Sequence, residues 1–488
     1  MTQPFVEPCS RGVIDAQPYP REMGYEISPQ RSRMVLAGCV LASSMVFIDG
    51  SALTVALPKL RAAVGLDFAS VQWVLNGYVL SLASLTLIGG ALADAHGKAR
   101  MLSIGCVLFG AASIACALAP SAEWLIAARV FQGIGAALLT PASLALIGAT
   151  YPKDKRNRAI GVWAAASALT TAAGPILGGW LTETFGWQAV FWINPPLAAV
   201  SVGLLWVFAP TDRREPRRFD IVGAAILAAA LGALAWALSE IGRSEPPSAA
   251  FWLPDAEIVL VGMLGIVGLV GYAVWERASP QPMTPPRLAK NRVFFSLNVA
   301  TLLVYAGLAI MFFLLPFDLI DRRGLQPTDA GLTFLPFTLG VGLLSSLFGR
   351  LADAIGARQM LIVGPLGAAA AYSWMAFGQD ASLMVGVISP MTLLGVSFAV
   401  LIAPLTSSVM SSLEQSDVGL ASGVNNAASR IAQLAGVAIA AGLGSLMSGY
   451  RFGLMAAAAV SVAGALTIMF MTPPASATPD RSALIPLK

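Results

Sequence analysis

The stretch GALADAHGKAR, Gly90 to Arg100, recurs in altered form as GRLADAIGAR, Gly349 to Arg358. A second stretch, GVWAAASALTTAAG from Gly161, recurs at nearly the same offset as GVNNAASRIAQLAG from Gly423. Two separate matches at one offset indicate that the chain contains two copies of one unit. Each copy of the first stretch separates two long apolar runs, so the unit itself contains several such runs.

The composition is that of a chain whose side chains mostly avoid water. Of its 488 residues, 57% are hydrophobic and 11% are charged, whereas a soluble domain carries about 25% charged residues. A helix needs roughly 20 apolar residues to cross a lipid bilayer. On that criterion we predict about fourteen membrane-spanning helices, among them Met34–Leu57, Ala189–Phe208 and Gly419–Leu446.

The repeat divides these helices into two homologous bundles. We expect a six-helix bundle over residues 34–208 and a second over residues 294–471, with an inserted helix pair over residues 221–275. Tails of residues 1–33 and 472–488 flank them, and the first tail is expected to be disordered. Two homologous halves are typical of transporters, whose substrate path lies between the halves. We expect the protein to act as a monomer.

The distribution of Lys and Arg predicts the orientation in the membrane. Most of the 30 basic residues fall in tails and loops on one side if the N-terminus is cytoplasmic, as the positive-inside rule requires. Both termini are therefore expected in the cytoplasm, around a multi-pass protein of the cytoplasmic membrane. The net charge of +4 does not indicate nucleic-acid binding, because the basic residues do not share one face.

The first repeated loop carries residues with a specific chemistry. Glycines permit tight turns, a carboxylate can accept hydrogen bonds at a helix N-terminus, and basic side chains can pair with acids or lipid phosphates. The loop resembles the signature between the second and third helices of fourteen-helix drug:proton antiporters of the major facilitator superfamily. The resemblance implies a cytoplasmic latch between the two halves, with Ala95 replacing the usual Arg. The alternative is an ordinary basic loop. The implied latch residues are Gly90, Asp94, Gly97, Lys98 and Arg100, with Asp353 and Gly356 as a weaker second copy.

Asp49 is the principal candidate for proton coupling. It lies in FIDGSALTVALP within the first predicted helix, where a charged carboxylate costs several kcal/mol and therefore needs a reason. A site that holds either a proton or a cationic substrate couples the two flows. The stretch resembles the family's first-helix motif, with Ser51 and Thr54 at two altered positions. The alternative is a packing carboxylate bonded to backbone or hydroxyl groups.

Two arginines also lie within predicted spans. Arg129 begins RVFQGIGAALLTP, which resembles the family's fourth-helix pattern and implies that Arg129 lies near the coupling acid. The alternative is a fixed structural ion pair. Gln132, in the same motif, and Arg430 are candidate cavity residues. Arg430 could equally be a snorkelling side chain near the cytoplasmic interface.

The stretch AAGPILGG resembles the antiporter signature of exporters in this superfamily. Its Pro175 removes a backbone donor, and its glycines let a neighbouring helix approach closely. The signature residues are Gly174, Pro175, Gly178 and Gly179. Asp318 and Asp321 are expected to be solvated acids at the outer interface.

The remaining residues favour transport over catalysis. The sequence lacks a P-loop, and its single histidine, His96, excludes His-based triads and HExxH sites. No cofactor or metal is expected, the cysteines are predicted to be core residues, and energy would come from a proton gradient. We predict an exporter of drugs or other small hydrophobic or cationic compounds. An exporter of one metabolite and an uptake symporter remain open, whereas a membrane enzyme or receptor lacks a loop of sufficient length. The sequence does not identify the substrate.

Overall fold

Helix is the only secondary structure in the part of the chain that the computed structural model describes. That part comprises residues 28–210, 220–241, 256–279, 291–412, 418–444 and 449–471. Its α-helices are α1 Pro29–Val64, α2 Phe68–His96, α3 Lys98–Ala117, α4 Ala122–Thr150, α5 Lys153–Phe185, α6 Ala189–Trp192, α7 Asn194–Phe208, α8 Ile221–Ile241, α9 Ala256–Ala278, α10 Arg292–Phe317, α11 Pro327–Leu332, α12 Leu335–Ile355, α13 Ala357–Phe377, α14 Ser389–Ser411, α15 Val418–Gly444 and α16 Gly449–Met471. Two π-helical turns, Asp318–Arg322 and Met384–Ile388, extend α10 and precede α14.

Polar side chains mark where several of these helices begin. Asp67 accepts a hydrogen bond from the backbone of Ser70 at 2.8 Å at the start of α2, and Asn291 accepts one from Phe294 at 3.0 Å at the start of α10. Such caps satisfy backbone donors that have no partner in the first turn. Ten helical stretches in the described residues are long and apolar enough to cross a membrane.

Two boundaries differ from those that the sequence predicts. Helix α1 begins at Pro29, before Met34, so the end of the predicted first tail is helical. The predicted span Ala189–Phe208 is divided between α6 and α7, and Pro195 follows the break. Proline disrupts the helical hydrogen bonds of the preceding turn. The described residues do not include the rest of the first tail, the second tail (residues 472–488) or several loops.

The two repeated loops have the same backbone geometry. Gly97 joins α2 to α3 with φ 106° and ψ 131°, and Gly356 joins α12 to α13 with φ 95° and ψ 129°. The amide of Gly97 donates to the carbonyl of Ala93, and that of Gly356 donates to the carbonyl of Ala352. These dihedral angles favour glycine. The sequence repeat is therefore also a structural repeat at this point.

The helices of each repeat pack mainly with their neighbours in that repeat. Helix α4 lies against α2 and α3, and α1 against α5; in the second repeat α10 packs on α15 and α16, and α12 on α14. Between the repeats, α5 contacts α11, and α2 contacts α15. Helix α8 lies on both α2 and α15, whereas α9 packs on α8.

Small residues make the closest of these helix contacts possible. A Cβ on Gly133 of α4 would lie 2.5 Å from the carbonyl oxygen of Tyr78, and one on Gly135 would lie 2.7 Å from the amide nitrogen of Phe109. Large apolar side chains instead cover the outer surface, including Trp206, which is 81% exposed. An apolar surface of this kind requires lipid around it.

Candidate functional site

The carboxylate of Asp49 lies in a fully buried polar cluster. Nη1 of Arg129 donates to its Oδ2 at 2.5 Å, and both side chains are inaccessible to solvent. Its Oδ1 accepts from Nε2 of Gln132 at 2.7 Å and from Nδ2 of Asn194 at 3.3 Å. Both oxygens therefore have partners, which a buried carboxylate requires.

Four helices position this cluster. Asp49 lies in the middle of α1, and Arg129 and Gln132 lie three residues apart on α4, where they share one helix face. Asn194 begins α7, directly after the break from α6, and Ser113 lies on α3. The close glycine contacts of α4 bring its polar face within hydrogen-bond distance of the other helices.

Arg129 has several partners besides its acid. Its Nε donates to the carbonyl of Val74 at 2.9 Å, and Nη1 also donates to Oε1 of Gln132 at 2.6 Å. The guanidinium carbon lies 4.3 Å from the centroid of the Tyr78 ring, a cation–π contact. Because these contacts do not involve Asp49, they can hold the guanidinium in place when the carboxylate is neutral.

Ser113 fixes the orientation of the two amides. Its Oγ accepts from Nε2 of Gln132 at 2.8 Å and from Nδ2 of Asn194 at 3.2 Å, and donates to the carbonyl of Phe109 at 2.8 Å. Both amide nitrogens therefore point towards Asp49. Gln132 was predicted as a possible cavity residue, but the structure places it inside this cluster with no exposed surface.

The Gly-Pro stretch of α5 packs against the part of α1 that carries Asp49. A Cβ on Gly174 would overlap the side chain of Ser51, and one on Gly178 would overlap the backbone of Ala52. Only glycine allows this approach. The helix with the antiporter-like signature is thus adjacent to the buried acid.

The same stretch also contacts the second repeat. A Cβ on Gly179 would overlap the backbone of Pro327 in α11, and one on Gly331 would overlap the backbone of Pro175 in α5. At this face, Oε2 of Glu183 accepts from the amide of Thr328 at 3.1 Å. The two repeats are therefore closely packed at the face that the sequence predicts to be outer.

Other contacts at the predicted outer face change one expectation from the sequence. Asp321 forms an ion pair of 3.6 Å with Arg61, and 45% of its side chain is exposed, as predicted. The prediction for Asp318 is wrong: its side chain is fully buried and pairs with Arg322 at 2.5 Å and Arg323 at 2.9 Å. The π-helical turn brings Arg322 and Arg323 to the same side of the helix as Asp318. The residue spacing of an α-helix does not predict this arrangement.

Arg430 lies on α15, at the contact between the two repeats. Its Nη1 donates to Oε1 of Gln433 at 3.1 Å, and Tyr78 of the first repeat lies nearby. One helical turn further along α15, the carbonyl of Leu434 accepts from Nδ2 of Asn76 at 3.5 Å. Arg430 therefore faces α2 of the first repeat.

The structure describes the predicted latch only in part. Gly97 and Gly356 form the equivalent turns described above, and Gly90 lies near Pro141 of α4. Lys98 begins α3, and Arg100 is exposed. The side chains of Asp94 and Asp353 lie outside the described residues, so the predicted latch contacts of both acids remain a prediction.

Sequence reasoning did not find Tyr78, Ser113 or Asn194. Asn194 had a weak signal, since it is a polar residue before Pro195 within an apolar run. Ser113 and Tyr78 had none, because serine and tyrosine are common in membrane helices. The prediction that the cysteines are core residues is confirmed for three of the four: Cys39, Cys106 and Cys116 are free and buried, and Cys9 lies outside the described residues.

The sequence model of the Major Facilitator Superfamily matches residues 39–293 and 297–486. The chain belongs to the major facilitator superfamily. It is therefore a multi-pass membrane protein with a major facilitator fold. In agreement, the solved structure of a peptide transporter, POT, resembles it with a TM-score of 0.69 at 16% identity, over 94% of this chain and 96% of that chain. At that identity the likeness shows the fold alone.

Characterised members of the superfamily are similar to this chain over most of its length. Multidrug resistance protein Stp of Mycobacterium tuberculosis (strain ATCC 25618 / H37Rv) is 32% identical over 86% of this chain and 76% of its own length. The lincomycin resistance protein of Streptomyces lincolnensis is 33% identical over 86% of both chains. The methylenomycin A resistance protein of Bacillus subtilis (strain 168) is 30% identical over 90% of this chain and 94% of its own length.

Proposed function

We propose that this protein is a proton-coupled antiporter that exports drugs or other small hydrophobic compounds across the cytoplasmic membrane. The observation that carries the proposal is the ion pair of Asp49 and Arg129, buried among helices that lipid surrounds. The superfamily relatives named for resistance favour export over an uptake symporter. An exporter of one metabolite would use the same fold. We assign no enzymatic activity and no cofactor.

The site supports reversible protonation of Asp49. A buried ion pair that loses one charge leaves the other uncompensated, at a cost of about 3–5 kcal/mol. Here the carbonyl of Val74, the amide oxygen of Gln132 and the ring of Tyr78 already surround the guanidinium, and they reduce that cost. Proton uptake would therefore release Asp49 from Arg129 without expelling the arginine from the membrane interior.

The proposed architecture has fourteen spans in two six-helix bundles, residues 34–208 and 294–471, with residues 221–275 as an inserted pair. The packing of α1 to α7 and of α10 to α16 supports it. Both termini would be cytoplasmic, and the turn from α1 to α2 would lie outside. The close packing of α5 on α11 then corresponds to a state that is closed to the outside.

The loops at Gly97 and Gly356 would form the cytoplasmic latch. Their matching dihedral angles support a shared role in the two repeats. In this proposal Asp94 and Asp353 provide the carboxylates, and Lys98 and Arg100 add positive charge. Loosening the latch would slow the exchange between conformations more than it would weaken substrate binding.

Substitution of Asp49 tests the proposal. Purified protein in liposomes, given a pH gradient and either lincomycin or puromycin, should move protons in the direction opposite to the compound. Pyranine enclosed in the liposomes reports the proton flux. We expect Asp49→Asn to abolish it and Asp49→Glu to retain part of it, since only the second variant can exchange a proton.

The matched control is Asp321→Asn, which removes a partly exposed acid at the predicted outer face. It should leave the proton flux unchanged. An unchanged flux in Asp49→Asn would refute the role of Asp49. Protons and compound moving in the same direction would establish a symporter instead.

A further inference from the structure

The charges near the middle of the described helices do not cancel, because two are positive and one is negative. Asp49 and Arg129 compensate each other, and both are fully buried. Arg430, the thirteenth of the 27 residues of α15, has no carboxylate partner among the described residues. A cation in the membrane interior faces a cavity and needs an acceptor. Among the described side chains, the one that accepts from Arg430 is the neutral Gln433.

Tyr78 lies near both arginines, with its ring over Arg129 and with Arg430 of the other repeat nearby. The side chain is only 3% exposed, yet its hydroxyl has no hydrogen-bond partner among the residues that the structure describes. Within the same residues, Nη2 of Arg129 also lacks one. Buried donors without partners are rare, because each costs about 1–3 kcal/mol.

These groups lie where the two repeats meet. The hydrogen bond from Asn76 to Leu434 holds α2 against α15 one turn away. Arg430 is only partly buried, whereas Tyr78 and the Asp49 cluster are buried, so a compound would reach the Tyr78 hydroxyl only after α2 and α15 separate locally. A group with an oxygen acceptor that entered here could receive hydrogen bonds from Arg430 and from the Tyr78 hydroxyl.

We propose that Arg430 and Tyr78 bind an acceptor oxygen of the transported compound, so that the protein selects carbonyl- or phenolate-bearing molecules over permanent cations. This inference rests on the proposed export function and specifies its substrate class. It replaces the expectation of cationic substrates, because a permanent cation would meet an uncompensated guanidinium. The acceptor oxygen can belong to a neutral carbonyl or to an anion. Binding of these two kinds of compound should depend differently on pH. An anion should bind more tightly once Asp49 takes up a proton, whereas a neutral compound should not respond.

Binding of three dyes to the full-length protein in lipid nanodiscs tests the proposal. The dyes are fluorescein, an anion; 7-diethylamino-4-methylcoumarin, a neutral compound with a carbonyl group; and ethidium, a permanent cation without a carbonyl group. Fluorescence anisotropy is measured against empty nanodiscs. We expect fluorescein, the coumarin or both to bind at least tenfold more tightly than ethidium. Repeating the titrations at lower pH distinguishes the anionic from the neutral acceptor.

The variants locate the selectivity. Arg430→Gln should weaken binding of the preferred dye at least tenfold and leave binding of ethidium unchanged or tighter, and Arg430→Lys should keep part of the preference. Tyr78→Phe, which keeps the ring over Arg129, should weaken the preferred dye about threefold, as loss of one hydrogen bond predicts. The control is Arg451→Gln, which removes an exposed arginine that lies over Phe377, and it should change nothing.

Three results would overturn the inference: ethidium binding as tightly as the other dyes, no dye binding at all, or an unchanged order of affinities in Arg430→Gln. Proton flux tests the proposed function, and dye binding tests this inference, so the two can fail separately. If the dyes bind in the expected order of affinity but no proton-coupled flux occurs, only the antiport is refuted. Flux without the expected order would refute only the acceptor site.

Discussion

Replacing Gly331 by alanine should open the predicted outer face of the protein. In the structure, a Cβ at this position would lie 2.9 Å from the carbonyl carbon of Pro175 and 3.1 Å from Cα of Ile176. Gly179 meets α11 in the same way, with distances of 2.8 Å to the carbonyl carbon of Pro327 and 3.0 Å to Cα of Thr328. The atoms in the way are backbone, so no side-chain rotation can relieve the overlap.

The size of the effect follows from these distances. Carbon atoms in favourable contact are about 3.5–4.0 Å apart, so α5 and α11 must separate by roughly 0.5–1 Å. Overpacking of this kind costs about 1–3 kcal/mol. This cost arises only in the closed state, in which α5 touches α11. It should therefore shift the ratio of open to closed states by about 5–150-fold.

Spin labels across this contact measure the shift. Thr184 near the end of α5 and Asp329 in α11 are exposed, so cysteines introduced there can carry the labels, in a chain whose Cys9 is replaced by serine. The three described native cysteines are buried and should react poorly. We expect Gly331→Ala, and independently Gly179→Ala, to move the distance distribution towards longer values. Gly342→Ala is the matched control, because nothing lies within 4 Å of its Cβ position. Equal distributions in all three variants would refute the reasoning.

Two further predictions concern stability. Asp318→Asn should lower the free energy of unfolding by about 3 kcal/mol, since Arg322 and Arg323 lose a buried partner; an unfolding temperature as high as that of Asp321→Asn in detergent would contradict this. Gly97→Ala and Gly356→Ala should each cost about 1–2 kcal/mol, because alanine is strained at these positive φ angles. The comparison is thermal unfolding against Gly203→Ala, whose Cβ would meet open space, and unequal losses at the two loops would count against their equivalence.

Composition and repeats predicted a helical membrane protein with an internal duplication, and the family resemblance added the major facilitator fold. The charged fraction indicated lipid, and the two LAD-containing loops indicated the duplication that Gly97 and Gly356 now show in their dihedral angles. The family resemblance implied that Arg129 lies near Asp49, and the structure places them in contact. The roles of the two residues in coupling stay predictions.

The rest of the site could not be derived from the sequence for a physical reason. A helix in lipid is apolar on most of its surface, so hydrophobic periodicity does not show which face points inward. Tyr78 and Ser113 therefore gave no sign that they belong with Asp49. Asp318 was placed in water because it ends an apolar run, but the π-helical turn after Phe317 directs it inward. The sequence motif linked Gln132 to the site but suggested a cavity, whereas its side chain is buried in the polar cluster.

The position of α8 determines how a lipid-soluble compound could reach the protein interior. The described parts of the two repeats meet where α2 packs on α15 and where α5 packs on α11. Because α8 packs on both α2 and α15, it covers the junction of these two helices. We therefore expect a compound from the membrane to enter beside α5 and α11, once the contact made by the glycines of the antiporter-like stretch has opened.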